Sequence, residues 1–280
     1  MTISVVMAVY CSEKAAFLDA SIRSVWTEQT LRPDEIVLVE DGPLGEELSE
    51  VIKQWKTELG DKFVIMKNDK NLGLTKSLNK GIAVASGDLI ARMDSDDVSD
   101  PKRFERQLSF FIDHPKIDIV GGALREFNDD NPCLRVRHFP ETDEEASKYI
   151  CKASPLAHPT VMMRRRIFDD GLRYNEKYRM SQDLALWFDA IMKGYRIANL
   201  PEVTINFRTQ RDVFKRRSKA KAWDEFKIYM NGIYRMNGPL TLKYLYPIAR
   251  LIFRMMPLSI IEIIYKSNMR SRMLDSHQPD

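Results

Sequence analysis

The chain has 280 residues, 44% of them apolar, with 43 Lys/Arg against 40 Asp/Glu. That supports one large domain, or one domain with an appendage, and excludes a disordered or fibrous chain. The formal charge of +3 hides an asymmetry: residues 206–280 carry 15 basic and 6 acidic residues, so the preceding body is net acidic.

The first element is Ile3 to Val9, a short β-branched run that reads as a buried strand. Ser12 is placed to cap a helix through about Glu28. Glu35 to Val39 is a second buried strand, stopped by Asp41-Gly42-Pro43, and a helix pattern covers Gly45 to Leu59. Phe63 to Met66 is a third strand; Leu74 to Ala85 is helical, with Gly87 as its expected C-cap. Leu89 to Met93 is the fourth strand. Alternation at this spacing predicts a parallel sheet with crossover helices.

Beyond residue 100 the pattern loosens. Pro101 to about His114 reads as a helix with proline at its first position, and Ile117 to Gly122 as a strand. Glu141 to Cys151 reads as an acidic helix, Met180 to Lys193 as an amphipathic one, and Val203 to Arg208 as a late strand. A boundary falls near residue 208, giving a body over 1–208, in halves 1–100 and 101–208, and a helical basic extension over 209–280. No repeat and no low-complexity segment interrupts this order.

Cys11, Cys133 and Cys151 are few, widely spaced and without a Cys-x-x-Cys, which argues against a disulfide framework or zinc site and for a reducing cytosolic compartment. No basic leader precedes the first strand, and no stretch reaches the ~18 uncharged apolar residues that cross a bilayer.

The segment Leu89-Ile90-Ala91-Arg92-Met93-Asp94-Ser95-Asp96-Asp97 ends an apolar run in three carboxylates. Crowded carboxylates at a partly buried strand end repel one another and call for a cation, with a hard divalent ion the natural candidate. The i, i+2 spacing of Asp94 and Asp96 on extended backbone predicts a shared side. Glu40-Asp41-Gly42 puts acids at the carboxyl end of the second strand, where ribose or base donors bind; an ordinary Asp-Gly turn is the bland alternative. Asn71-Leu72-Gly73-Leu74 precedes a helix whose first turn holds Lys76, which suits an anion or simple capping. No Gly-x-Gly-x-x-Gly and no Walker sequence occurs, against dinucleotide binding and P-loop hydrolysis. Ser181-Gln182-Asp183 opens a helix carrying Trp187 and Phe188; Asp183 is either a first-turn acid or a general base whose pKa is raised by apolar surroundings. His158, before Pro159, is either structural or part of the metal or acceptor region.

Taken together and in order, Ser4 to Tyr10, Glu40-Asp41-Gly42, Asn71-Leu72-Gly73, Gly87-Asp88 through Asp97, Pro101-Arg103-Phe104, and Gln182-Asp183 with Leu186-Trp187 resemble the family 2 glycosyltransferases over about residues 2–208. The likeness is greatest to bacterial enzymes that build O-antigen, capsule or exopolysaccharide repeat units. It implies a GT-A fold, an α/β architecture with a Rossmann-like mixed sheet flanked by helices, followed here by the basic, apolar tail. It implies an inverting transfer from a UDP-sugar, with galactose or glucose favoured and GlcNAc a further candidate. Nucleotide-sugar contacts would come from Ala8, Tyr10, Glu40, Asp41, Asn71, Lys76, Arg92, Asp94, Ser95 and Asp96. Asp94 and Asp96 would be the Asp-x-Asp pair holding Mn2+ or Mg2+, with Asp96 the more direct ligand, and Asp183 the catalytic base. His158, Gln182 and Trp187 would lie towards the acceptor. Glu40 stands where many members have aspartate, and Gln182 where they have glutamate.

Arg208, Arg211, Lys215, Arg216, Arg217, Lys219 and Lys221 form a basic cluster, and residues 240–265 alternate apolar groups with sparse cations, cut by Pro247 and Pro257. This predicts helices lying on the anionic inner leaflet of the cell membrane, suited to a polyprenyl-diphosphate-linked saccharide acceptor; a helix pair packed on the body is the alternative. No RNA-recognition motif accompanies the patch, so no nucleic-acid partner is expected. Two other functions compete. A sugar-nucleotide pyrophosphorylase would want a Gly-rich loop where Ala8-Val9-Tyr10-Cys11-Ser12 stands, and a non-catalytic membrane-surface scaffold would not need Asp-x-Asp and Asp183 together.

Overall fold

The computed structural model describes residues 1–178, 180–209 and 219–256. Strand β1 (Ile3–Val9) is followed by α1 (Ala15–Trp26), β2 (Glu35–Glu40), α2 (Glu46–Leu59), β3 (Phe63–Lys67), α3 (Leu74–Val84) and β4 (Leu89–Asp94). Then come β5 (Val98–Ser99), α4 (Arg103–Asp113), β6 (Ile119–Asn128), β7 (Asn131–Arg137), α5 (Asp143–Tyr149), β8 (Met162–Arg164) and α6 (Arg166–Asp169). Helix α7 (Gln182–Met192), β9 (Ile197–Arg208), α8 (Lys219–Asn237) and α9 (Leu245–Met255) complete the described chain.

One mixed sheet runs in the order β3-β2-β1-β4-β8-β6-β9-β5, with β7 paired to β6. The first four strands are parallel; β8 is antiparallel to both β4 and β6. Alternation along β1 explains its unbroken apolar run. Val6 joins Val37, Leu78 and Ile90 in one core, while Val5 and Met7 join Leu18, Ile22 and Leu48 in the other. A strand sandwiched between helical layers has no solvent face on which to place polar groups.

The expected mixed, helix-flanked α/β architecture is present, with local differences. Helix α1 starts after Lys14, and Ser12 does not cap it; residues 11–13 form a turn closed by Glu13 N–H to Tyr10 O at 3.0 Å. Gly87 does not cap α3, which ends at Val84 with Ala85 as its C-cap. A Cβ at Gly87 would lie 2.6 Å from the Ser4 nitrogen, and Gly87 N–H donates to Ser4 Oγ at 2.7 Å, so the glycine permits close approach to β1. Asp100, not Pro101, turns the chain into α4: its carboxylate accepts from Lys102 N–H at 3.0 Å. Strand β9 begins six residues earlier than expected, because Pro201 and Glu202 bulge out of the ladder between the Leu200–Gly122 and Val203–Ala123 pairs.

The tail packs on the body at α8. Ile228, Tyr229 and Ile233 are buried against α7, Phe188 and Tyr229 meet edge-to-face at 6.0 Å, and Arg235 pairs with Asp189 at 2.7 Å. Pro247 does not cut the next helix. It sits in the first turn of α9, where a missing N–H costs no helical bond. The outer face of α9 leaves Leu245, Ile248, Ile252 and Met255 exposed. Among the described residues no helix is long and apolar enough to cross a membrane. Arg211, Lys215, Arg216, Arg217 and Pro257 lie outside the described residues, as does the side chain of Lys219.

Candidate active site

The carboxyl ends of β1, β2 and β4 converge where the parallel order delivers them, with Ala8 in register with both Val39 and Asp94. Asp94 is the last residue of β4, and Ser95-Asp96 form a tight turn into β5. The turn, rather than continuous extended backbone, brings the acids together. Ligand oxygens of Asp94, Asp96 and Asp97 lie within 4.8 Å of one another.

Each acid has a different environment. Asp94 is gripped by the guanidinium of Arg92, two residues earlier on the same strand face, with Nη1 to Oδ2 at 2.5 Å and a second bond from Nη2. Burial pushes the Asp96 carboxyl up to about 6, helped by the charges of Asp94 and Glu13. Asp97 is fully buried. Its Oδ1 accepts Arg208 N–H at 2.8 Å, its Oδ2 has no partner, and burial with the neighbouring acids holds its pKa well above the ordinary value. Three crowded carboxylates, one with an orphaned buried oxygen and only one neutralised by an arginine, fit a hard divalent cation. Asp94 and Asp96 would hold it.

Supporting groups surround the cluster. Ser95 Oγ donates to Glu13 at 3.0 Å, and Asp94 O accepts from Ser21 Oγ at 2.7 Å. Arg103 is wholly buried and donates to the carbonyls of Arg92 and Val161 at 2.8 and 3.2 Å; burial and the nearby Arg92 lower its pKa to about 9. Arg208 is held within the body. Its guanidinium lies over Phe17 and Phe127 at 4.0 and 4.7 Å and donates to Asp96 O and Asp129.

At the second strand, Asp41 Oδ1 accepts from Asn68 Nδ2 and Leu72 N–H at 3.0 and 2.8 Å, and its Oδ2 accepts from Gly73 N–H at 2.9 Å. Gly42, at φ +95°, lets this loop close, since a Cβ there would lie 2.7 Å from the Asn71 nitrogen. Glu40 pairs with Lys67 at 3.1 Å. Tyr10 and Asn71 are exposed at the rim. Lys76 faces Glu176 at 3.9 Å beside a separate cavity of about 240 Å³, bounded by Leu72, Gly73 and Tyr178.

The larger cavity, about 720 Å³, is lined by His158, Gln182 and Asp183 from the body and by Lys221, Tyr229 and Arg250 from the tail helices. Ser181, at φ +56°, is the one left-handed non-glycine among the described residues; it turns the chain so that Gln182 and Asp183 open α7 towards the cavity. Burial raises the Asp183 pKa, opposed by Leu184 N–H and the Arg92 charge. His158 donates or accepts at Nε2 with Tyr174 Oη at 2.7 Å, and burial with Arg92 nearby keeps it neutral. Trp187, expected towards the acceptor, is fully buried behind His158, with ring centroids 6.2 Å apart. Arg92 links the two regions: it holds Asp94, and its charge reaches Asp183 and His158.

Sequence reasoning did not single out Glu13, Tyr174, Tyr229 or Glu225, which reach the site from distant positions. Arg103 carried a signal, as part of the Pro101-Arg103-Phe104 motif.

An acid-bearing switch in a mixed sheet, beside a cavity holding a half-buried aspartate, is the architecture of a GT-A enzyme. The chain belongs to glycosyl transferase family 2, whose model matches residues 4–172, and it is a glycosyltransferase. It is 32% identical over 273 residues to the amylovoran biosynthesis glycosyltransferase AmsE of Erwinia amylovora, covering 95% of this chain and 98% of that one. It is 31% identical to the Escherichia coli UDP-Gal:alpha-D-GlcNAc-diphosphoundecaprenol beta-1,3-galactosyltransferase, covering 95% and 96%. Staphylococcus aureus TarS 1-349 in complex with UDP-GlcNAc superposes with a TM-score of 0.64 at 17% identity, covering 98% of this chain and 76% of that one, which establishes the GT-A fold.

Proposed function

We propose that the protein transfers a hexose, galactose or glucose, from a UDP-sugar to a hydroxyl of a polyprenyl-diphosphate-linked saccharide, with inversion, in bacterial surface polysaccharide assembly. The observation that carries this reading is the placement of Asp183 in a 720 Å³ cavity beside, but separate from, the Asp94-Asp96-Asp97 cluster. The Escherichia coli relative, similar over nearly its whole length, supports the donor and acceptor classes.

Asp94 and Asp96 would hold Mn2+ or Mg2+, which when bound offsets negative charge on the departing diphosphate. Asp183 takes the proton of the acceptor hydroxyl. Its oxygen forms the new bond to the anomeric carbon as the bond to UDP breaks on the opposite face, and an α-linked donor gives a β-glycoside. Burial makes Asp183 a better match to this task than an ordinary aspartate, pKa about 3.9. Arg92 holds Asp94 in an ion pair, and Asp96, whose carboxylate no arginine side chain pairs with among the described residues, is the more available ligand.

The body over 1–208 carries donor and catalytic groups, and the extension over 209–280 bears on the acceptor side. Exposed Leu245, Ile248, Ile252 and Met255 on α9 support contact with the inner leaflet of the cell membrane. Deletion of residues 240–280 should abolish flotation with anionic liposomes. Transfer of radiolabelled sugar from UDP-galactose or UDP-glucose to a synthetic lipid-diphosphate saccharide tests the reaction; absence of transfer from every UDP-hexose would refute it.

A further inference from the structure

The cavity beside Asp183 holds charges that proton abstraction does not need. Helix α8 contributes Lys221 and Glu225, α9 contributes Arg250 and Arg254, and Arg137 arrives at the end of β7. Four cationic side chains there face two carboxylates, Asp183 and Glu225. Glu225, 6% exposed, pairs with Arg250 at 2.8 Å and with Arg254, which fixes both arginines in place. Arg250 Nε is buried without a hydrogen-bond partner, and so is the hydroxyl of Tyr229, 1% exposed on the same cavity wall. These orphans cost stability and, having no accessible surface, are not themselves ligand contacts; the ligand-facing feature is the cationic excess of the lining, which suits acceptor oxygens.

We propose that this cationic roof binds the diphosphate of the lipid-linked acceptor, an inference that rests on the acceptor class given above. Guanidinium forks match paired phosphate oxygens. The donor's diphosphate is a poorer occupant, because none of Asp94, Asp96 and Asp97 lines the cavity. With its diphosphate under α8 and α9, the acceptor sugar lies in the same cavity as Asp183. The hydrocarbon leaves along α9, where Ile248, Ile252 and Met255 are exposed. The roof thereby fixes how far along the acceptor the reactive hydroxyl must be.

The test has two arms on the full-length protein. Inorganic diphosphate is titrated calorimetrically into metal-free enzyme, and binding is expected to weaken about tenfold in Arg254→Gln and Lys221→Gln but not in Asp96→Asn. The reverse pattern would assign the anion to the donor site and overturn the proposal. Transfer is then measured to an α-GlcNAc diphosphate bearing a synthetic undecyl chain and to the neutral undecyl α-GlcNAc. Arg254→Gln should raise KM for the charged acceptor about tenfold while leaving KM for the neutral acceptor and for the UDP-sugar unchanged, with Arg254→Lys restoring much of the loss. Arg137→Gln, on β7 rather than on the tail helices, should act the same way, giving up a half-exposed ion pair with Glu126 at 3.4 Å. Equal KM for both acceptors in the unaltered enzyme would overturn the proposal. Donor hydrolysis without transfer to any lipid-diphosphate saccharide would instead overturn the acceptor class, and this inference with it.

Discussion

Arg92 and Asp94 sit two residues apart on one face of β4 and form a two-bond ion pair in which the arginine is buried and the aspartate half-buried. The same strand thus supplies an acid to the site and the cation that makes it tolerable. Removing the arginine leaves three crowded carboxylates with less compensation. Arg92→Met should destabilise the protein by about 1–3 kcal/mol in the absence of metal, less than for a fully buried pair. Millimolar Mn2+ should recover part of that loss, because a divalent ion relieves the same repulsion. Chemical denaturation with and without Mn2+ measures both effects.

Asp183→Asn should abolish transfer and at the same time stabilise the fold at neutral pH. The folded carboxyl has a raised pKa, so it holds its proton more tightly than the unfolded chain does. Stability from such a group is complete below the unfolded value near 3.8 and is lost as pH rises through the folded value. Asparagine keeps the shape and removes the charge. Melting curves should separate from the unaltered protein above this range and coincide at pH 3.5. Each kcal/mol relieved corresponds to about 2–4 °C in a chain of this size.

The acid limb of the transfer rate should also lie above that of an ordinary aspartate, because Asp183 must be ionised to accept the proton. A pH profile of kcat at saturating metal and donor reads it directly. The limb should move or vanish in Asp183→Glu, whose longer side chain changes both reach and burial.

Tyr174→Phe should cost about 1 kcal/mol, from loss of the hydrogen bond to His158 in a buried setting. His158 should remain neutral, since burial and Arg92 both oppose its charging. NMR titration of the imidazole should find no protonation at pH 6.

Ile233→Ala should cost about 2–5 kcal/mol, as at other fully buried aliphatic positions, although Ile233 lies in the tail. A tail that merely rested on the membrane would tolerate the change. Equilibrium unfolding in detergent-free buffer distinguishes the two.

The parallel strands and the acid cluster were legible in the sequence for one reason. A strand buried on both faces must be apolar along its length, as Val5–Val9 and Ile36–Val39 are, and carboxylates at its end then stand out. Asp183 was legible only through its family motif, because a helix-opening aspartate is common on any surface. The strained turn at Ser181 that aims it has no signature in residue type. Glu225 and Tyr229 were not legible as site residues. They reach the cavity through the way α8 crosses α7, a tertiary relationship that local patterns do not encode. The tail was read chiefly by charge, yet its first helix buries Ile228, Tyr229 and Ile233 in the body's core. Arg208 shows the same limit: a residue counted with the tail's cations is committed to Asp96, Asp97 and two aromatic rings.

The division of labour between the acid cluster and Asp183 is tested most directly by comparing UDP binding and sugar transfer in two variants. Calorimetry with Mn2+ should find UDP affinity nearly unchanged in Asp183→Asn and sharply reduced in Asp96→Ala, while transfer is lost in both. Transfer that persists in Asp183→Asn, or UDP binding in Asp96→Ala that no longer responds to Mn2+ yet keeps full affinity, would contradict the account.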